Sequence, residues 1–351
     1  MDINAKRANE IIRMLKDDHK TKVKEIEFEK IDANNHEELV TALKGHDVAA
    51  SALGPFYMFE KKLVKACLAA GVDYTSVCDE WNAAEAVYED CDELARLKKR
   101  RILIGLGTSP GITNIGVSYF REQLDTLDKV DISVFQPLAA GGGEAVLKHM
   151  LFIISGNIAI WRNGKKKLVP ALSEEKIVEF PHFGKVKVWN MGHAEPITLP
   201  RFYPEMKECN FHMGFGKGSE MFIYPSKMGA FKSKKVVDST VKLVKTIENL
   251  IKSKILKNKD VKPSPGAVRI DIYGKKNNIS KHFIGCGTGE MREFTGLSLS
   301  VGTLMLGRGQ IQKDAYGVLS PESCLSPKVF IDEVRTRGII TYKDLDMTVP
   351  I

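Results

Sequence analysis

Apolar positions along the first hundred residues alternate between two periods. Ala5, Ala8, Ile11, Ile12 and Leu15 return at helical spacing and predict a helix over 5–20. Val23, Ile26, Phe28 and Ile31 then predict a strand that ends at Asp32. A helix follows from Asn35 to Leu43, with Gly45 as its stop. The short run Val48–Leu53 leads into Gly54-Pro55. Further on, helices are predicted over 60–70 and 82–98, and strands over 72–77 and 102–106. Short, wholly apolar runs between helices mark strands buried on both faces. Strands and helices in this alternation predict an α/β domain with a doubly wound parallel sheet of the Rossmann type.

The rhythm changes near Gly111. A helix over 115–124 precedes a strand over 130–135 and then Gly141-Gly142-Gly143. Alternation returns at Lys185–Val188 and Val268–Ile272, and Gly274–Asn278 reads as a hairpin between two alternating runs. Over 236–256, Val237, Val241, Val244, Ile247, Ile251 and Ile255 share one helical face, which is expected to pack on a sheet. Lys257–Gly266 reads as a charged loop, and 291–306 and 327–337 as helices. The expected organisation is a first, dinucleotide-binding domain at 1–110 and an α+β catalytic and dimerisation domain at 111–316. Residues 317–351, with a short strand at 339–342, are expected to return to the first domain.

Composition narrows the class. The chain has 351 residues with 43% hydrophobic and 27% charged positions, which suits a folded globular protein and excludes a disordered or fibrous one. The longest apolar run, 150–160, is broken by Ser155, Gly156 and Asn157, so no membrane span is expected. No charged-then-apolar leader opens the chain, and a cytoplasmic location is expected. Lys and Arg exceed Asp and Glu by 52 to 44, but the basic clusters carry no interleaved aromatic residues, so nucleic acid is not an expected partner. The six cysteines lie far apart and form no Cys-x-x-Cys pair, which fits reduced thiols.

Three clusters carry candidate chemistry. The first is the set of strand ends, Asp32, Ser51–Pro55, Tyr74–Glu80 and Gly105–Gly111, because open α/β sheets bind ligands there. Gly105–Asn114 also reads as a Gly-rich turn into a helix N-terminus, a candidate anion site. The second is Gly192–Arg201, which puts an imidazole, a carboxylate and a guanidinium within nine residues; the alternative is a surface loop with an internal salt bridge. The third, Gly285–Met291, reads either as a wall of the substrate site or as a hairpin-to-helix turn. No His, Cys, Asp or Glu set has metal-ligand spacing, so no metal is expected.

These pieces, in this order, resemble the saccharopine dehydrogenase-like family over nearly the whole chain. The specific motifs are Ser109–Asn114 (SPGITN) and His193–Arg201 (HAEPITLPR). Asp2-Ile3-Asn4, Gly45–Val48, Ser51–Pro55, Ala70–Tyr74, Cys78-Asp79 and Gly317–Glu322 support them. The resemblance implies an NAD(P)-dependent oxidoreductase, homodimeric, that moves hydride to or from a C–N bond of an amino-acid or polyamine-type substrate. It implies Asp2 at the adenosine ribose, where an acid favours NAD over NADP. It also implies Asp32 near the adenine, Ser51, Leu53, Gly54 and Pro55 along the dinucleotide, and Gly107, Thr108, Ser109 and Pro110 by the nicotinamide. Tyr74, Asp79, His193, Glu195 and Arg201 would face the substrate, with His193 or Asp79 as proton donor and Arg201 as carboxylate anchor. One departure stands out. The family reaches its acidic residue after a strand, a Gly-x-Gly-x-x-Gly turn and a helix, whereas here that residue is Asp2. The sheet is therefore expected to be N-terminally incomplete, and the stated start not the natural one. The alternative is a non-catalytic binding or interaction protein that has lost its phosphate loop.

Overall fold

The computed structural model describes residues 1–17, 25–138, 143–255 and 264–351. Helix α1 (Ala5–Asp17) is followed by α2 (His36–Leu43), β1 (Val48–Ser51), α3 (Phe56–Ala70), β2 (Asp73–Ser76), α4 (Trp81–Leu97) and β3 (Arg101–Leu103). The alternation expected from the sequence holds in this order. Asn35 caps α2 by accepting the Glu38 N–H at 3.3 Å. Gly71, at φ 74°, closes α3 in the left-handed region, and the Val72 N–H reaches back to the Cys67 carbonyl. α3 is buried along Phe56, Leu63, Val64, Cys67 and Leu68, which pack with Ala84, Val87 and Cys91 of α4. Each fully buried Leu or Val there contributes about 1.5–3 kcal/mol by leaving water.

The strand expected over 23–31 is reduced, among the described residues, to one parallel bridge between Asp2 and Lys30. A single bridge satisfies too few backbone groups to make a ladder. β1, β2, β3 and β12 (Gly317–Leu319) form a four-stranded sheet in that order, with every neighbouring pair parallel. Thus β12 arrives from some 200 residues downstream to flank β3.

The second sheet has eight strands: β4 (Thr126–Phe135), β5 (Asn157–Arg162), β6 (Lys165–Pro170), β7 (Glu175–Phe180), β8 (Gly184–Asn190), β9 (Glu208–Gly214), β10 (Gly266–Lys276) and β11 (Ile279–Gly289). Their main order is β11-β10-β4-β9-β5-β6; β8 shares the far edge of β9 with β5 and carries β7. Two residues at positive φ, Asn277 and Asn278, turn β10 into β11, as the hairpin signal predicts. The Gly285–Gly289 segment is the end of β11 and leads into the helix that opens at Met291, as a hairpin-to-helix turn. A pleated strand needs its backbone for the ladder with β10.

Helices α5 (Ile112–Arg121), α6 (Glu144–Ile153), α7 (Glu195–Phe202), α8 (Glu220–Lys227), α9 (Lys234–Ile255), α10 (Met291–Gly307), α11 (Pro321–Cys324) and α12 (Pro327–Arg335) complete the chain. One core joins β4, β9 and β10 to α5, α6, α10 and α12 through Ile132, Phe211, Ile270, Phe120, Leu151, Val301 and Phe330. α9 packs on α6 rather than on a sheet, with Val241 buried; Ile247, Ile251 and Ile255 lie outside the described side chains. Gly141 and Gly142 also lie outside the described residues. α10 crosses back under the first sheet. Thr303 meets Thr75 Oγ to Oγ at 2.7 Å, and a Cβ on Gly302 would stand 2.5 Å from Leu106. The first sheet is therefore covered by α3 and α4 on one face and by a helix of the second domain on the other. No described helix is long and apolar enough to cross a membrane.

Candidate active site

The candidate site lies where β1, β2 and β3 end. The loop after β1 bends back at Ser51, whose Oγ accepts the Leu53 N–H at 3.2 Å. It then passes Gly54, where an added Cβ would meet Ala145 at the start of α6 at 3.7 Å. The loop after β2 ends in Glu80, a fully buried carboxylate that accepts the Tyr57 N–H at 2.6 Å and so ties the two loops together. The loop after β3 folds onto itself. Gly107 N–H donates to Pro110, Ile112 N–H to Gly107 and Thr113 N–H to Thr108. Gly111 sits at φ 126°, and an added Cβ would lie 2.0 Å from the Gly107 oxygen. The expected anion site at Gly105–Asn114 is therefore corrected, because the turn consumes the first amides of α5.

From the other side α6 and the segment before α7 bring two histidines to Asp79. His149 Nε2 stands 3.5 Å and His193 Nε2 3.9 Å from Asp79 Oδ2. Each ring is oriented by a second carboxylate. His149 Nδ1 bonds Glu80 at 3.1 Å, and His193 Nδ1 bonds Glu195 at 2.5 Å. Phe211 of β9 stacks flat on His193, 3.8 Å between ring centres and 6° from parallel. Glu195 is fully buried and also accepts from Ser109 Oγ and, at 3.4 Å, from Thr113 Oγ1. Asp79 Oδ1 is buried with no partner among the described residues.

Burial holds the Asp79 carboxyl above its usual range, although both histidines pull it down. Burial also works against a charged His149, but Asp79 and Glu80 outweigh it and raise the imidazole to about 9. Beneath this turn lies a further acid. Glu60 of α3 is fully buried, accepts from Tyr74 Oη at 3.0 Å and Ser76 Oγ at 2.5 Å, and is pushed up to about 7, chiefly by burial.

Asp79, His193 and Glu195 are thus brought together. The Gly192–Arg201 segment is interior rather than a surface loop, since every residue from Met191 to Pro200 is buried. Ser109 joins the cluster through Glu195. Thr108 does not, because its hydroxyl bonds Met291 and Thr295 of α10. Gly107 and Pro110 are buried in the closed turn. Tyr74 is 1% exposed and spends its hydroxyl on Glu60, so it faces the interior of the first domain instead of a substrate. Arg201 ends α7 on the exposed side and lies over the Tyr88 ring at 4.4 Å; it makes no ion pair with the cluster. A helix turns its side chains outward as it leaves the core, and α7 does so at Arg201 and Phe202. Asp2 and Asp32 are exposed, beside the Asp2–Lys30 bridge.

Sequence reasoning missed His149, and it included Glu80 in the strand end Tyr74–Glu80 without giving it a role. His149 lies 69 residues from Glu80 inside an apolar helical run, so no spacing links the two. The Asp79-Glu80 doublet after a strand was the one available signal.

Residues 2–102 match the family profile of the saccharopine dehydrogenase NADP binding domain. The resemblance read from the sequence is thereby borne out. Over 222 residues the chain is 28% identical to the carboxynorspermidine synthase of Vibrio cholerae serotype O1. That match covers 57% of this chain and 51% of the relative, so it spans about half of the relative's length. The fold is similar to that of apo saccharopine dehydrogenase (L-Glu forming) from Saccharomyces cerevisiae. The TM-score is 0.59 at 12% identity, over 89% of this chain and 87% of the other.

Proposed function

We propose that this saccharopine dehydrogenase-like chain is an NAD(P)-dependent oxidoreductase acting on a CH–NH or CH–NH2 bond of an amino-acid or polyamine-type amine. The observation that carries the proposal is the Asp79–His149–His193 cluster at the carboxyl ends of the first domain's strands, the place where such sheets take ligands. The residues present suit one half of a dinucleotide. Ala52 and Leu53 are exposed just beyond β1, an apolar ledge beside the cluster's supporting loops that suits a flat ring. Asp2 keeps one carboxylate oxygen beyond its bond from the Asn4 N–H, and it would hold ribose hydroxyls. The bound nicotinamide would supply or accept the hydride.

The chain's own residues handle the proton. Glu80 and Glu195 accept from the two Nδ1–H groups, which turns both Nε2 atoms toward Asp79. The two Nε2 atoms stand 3.5 and 3.9 Å from Asp79 Oδ2, and a proton held at any of the three would be delivered to an amine nitrogen lodged between them. Phe211 fixes the plane of His193, and burial of Glu80 and Glu195 keeps water from loosening their bonds. Cytoplasmic location, a homodimer and a preference for NAD remain part of the proposal.

The test is consumption of NADH and of NADPH in the presence of paired amines and carbonyl acids, followed by absorbance. Turnover with at least one pair is expected, falling ~100-fold or more in kcat for His193→Gln. If dinucleotide quenches protein fluorescence but no pair is turned over, the binding-protein alternative holds. If neither occurs, the proposal fails.

A further inference from the structure

The same three side chains hold a second possibility that goes beyond proton handling. We infer that Asp79 Oδ2, His149 Nε2 and His193 Nε2 form a binding site for a zinc-class divalent cation, with one position open to water or ligand. The three donor atoms lie within 4.8 Å of one another. Two of the three separations, 3.5 and 3.9 Å, approach the ~3.3 Å edge of a tetrahedron built on zinc–nitrogen bonds of about 2.0–2.1 Å. The third edge, between the two Nε2 atoms, lies within the same 4.8 Å.

Three further observations point to a cation rather than to a chance meeting. First, each imidazole carries its own outer carboxylate on Nδ1, Glu80 for His149 and Glu195 for His193. With each Nδ1 held by a carboxylate, a metal that displaces the Nε2 proton meets a lone pair on a ring already aimed at Asp79. Second, Asp79, Glu80 and Glu195 place three carboxylates in a largely buried space, and none of them pairs with a Lys or Arg among the described residues. A divalent ion offsets that excess better than water can at such depth. Third, Asp79 Oδ1 is buried and unpartnered, so the carboxylate retains a free oxygen for a two-point grip. Two nitrogens and one carboxylate suit zinc or cobalt better than calcium or magnesium, which prefer all-oxygen shells. The donors come from three separate elements: the turn after β2, helix α6 and the segment before α7. An ion there would pin the second domain to the strand ends of the first.

The experiment uses the full chain, first stripped with a chelator, then titrated with cobalt(II) alone, with visible absorption and calorimetry as readouts. One equivalent per chain is expected, with the intense bands of a four- or five-coordinate cobalt site, and added zinc should bleach them. His149→Gln should abolish the bands. Glu80→Gln should weaken binding ~10–100-fold by freeing the Nδ1–H of a ligand. His282→Gln, distant on β11, should change nothing. Melting curves of each variant separate lost binding from lost folding. Absence of cobalt bands in the folded wild-type chain, or bands that survive in folded His149→Gln, overturns the inference. The oxidoreductase proposal is judged apart from this, by dinucleotide turnover in the chelated protein.

Discussion

Glu60 offers the sharpest quantitative test of the energetics beneath the candidate site. Its carboxyl is fully buried in α3 and titrates near 7 instead of 4.5, mainly through burial, with Glu80 and Asp79 adding repulsion. A folded-state value above the unfolded one means that the native chain keeps its proton where the unfolded chain has lost it. The stabilising contribution is complete below about 4.5 and is lost as the pH rises through about 7. The gap of about 2.5 units corresponds to ~3 kcal/mol at 1.36 kcal/mol per unit. Glu60→Gln removes the titration and keeps the shape, but the amide accepts from only one of Tyr74 and Ser76. It should cost ~1 kcal/mol at pH 5, where the native acid is neutral. At pH 8 the variant should exceed wild type by ~2 kcal/mol, because it escapes the cost of a buried charge. Urea unfolding of both proteins at several pH values between 5 and 8 measures the crossing. Stability curves that run parallel across this range would refute the claim that Glu60 holds its proton by burial.

Other outcomes follow from the same geometry. Gly111→Ala should lower stability by ~3 kcal/mol or more, read as a drop in Tm, since φ 126° suits only glycine and the new Cβ would strike the Gly107 oxygen. Arg201→Ala should leave KM for a carboxylate-bearing substrate within about threefold of wild type, because the guanidinium lies over Tyr88 outside the cluster; a loss of ~100-fold would restore Arg201 as the anchor. Leu68→Ala, at a fully buried site in α3, should cost ~2–5 kcal/mol without altering dinucleotide binding, checked by unfolding and by fluorescence quenching.

Local pattern determined the elements of the first domain. Short apolar runs between amphipathic helices left β1, β2 and β3 no stable place but a parallel sheet, and Gly71 and the Asn277-Asn278 pair marked turns through their backbone freedom alone. The HAEPITLPR and SPGITN motifs also named three residues that do meet, His193, Glu195 and Ser109, because each lies within a few residues of a rigid turn. Other features depended on long-range packing, which has no local period. β12 joined the first sheet from across the chain, and α10 covered that sheet's second face through small residues such as Gly302. The same packing put His149 beside Glu80 and Asp79, turned Tyr74 inward to Glu60 and left Arg201 on the surface. A side chain's direction depends on which face its element buries. For His149, Tyr74 and Arg201 that face was chosen by partners 14 to 113 residues away along the chain.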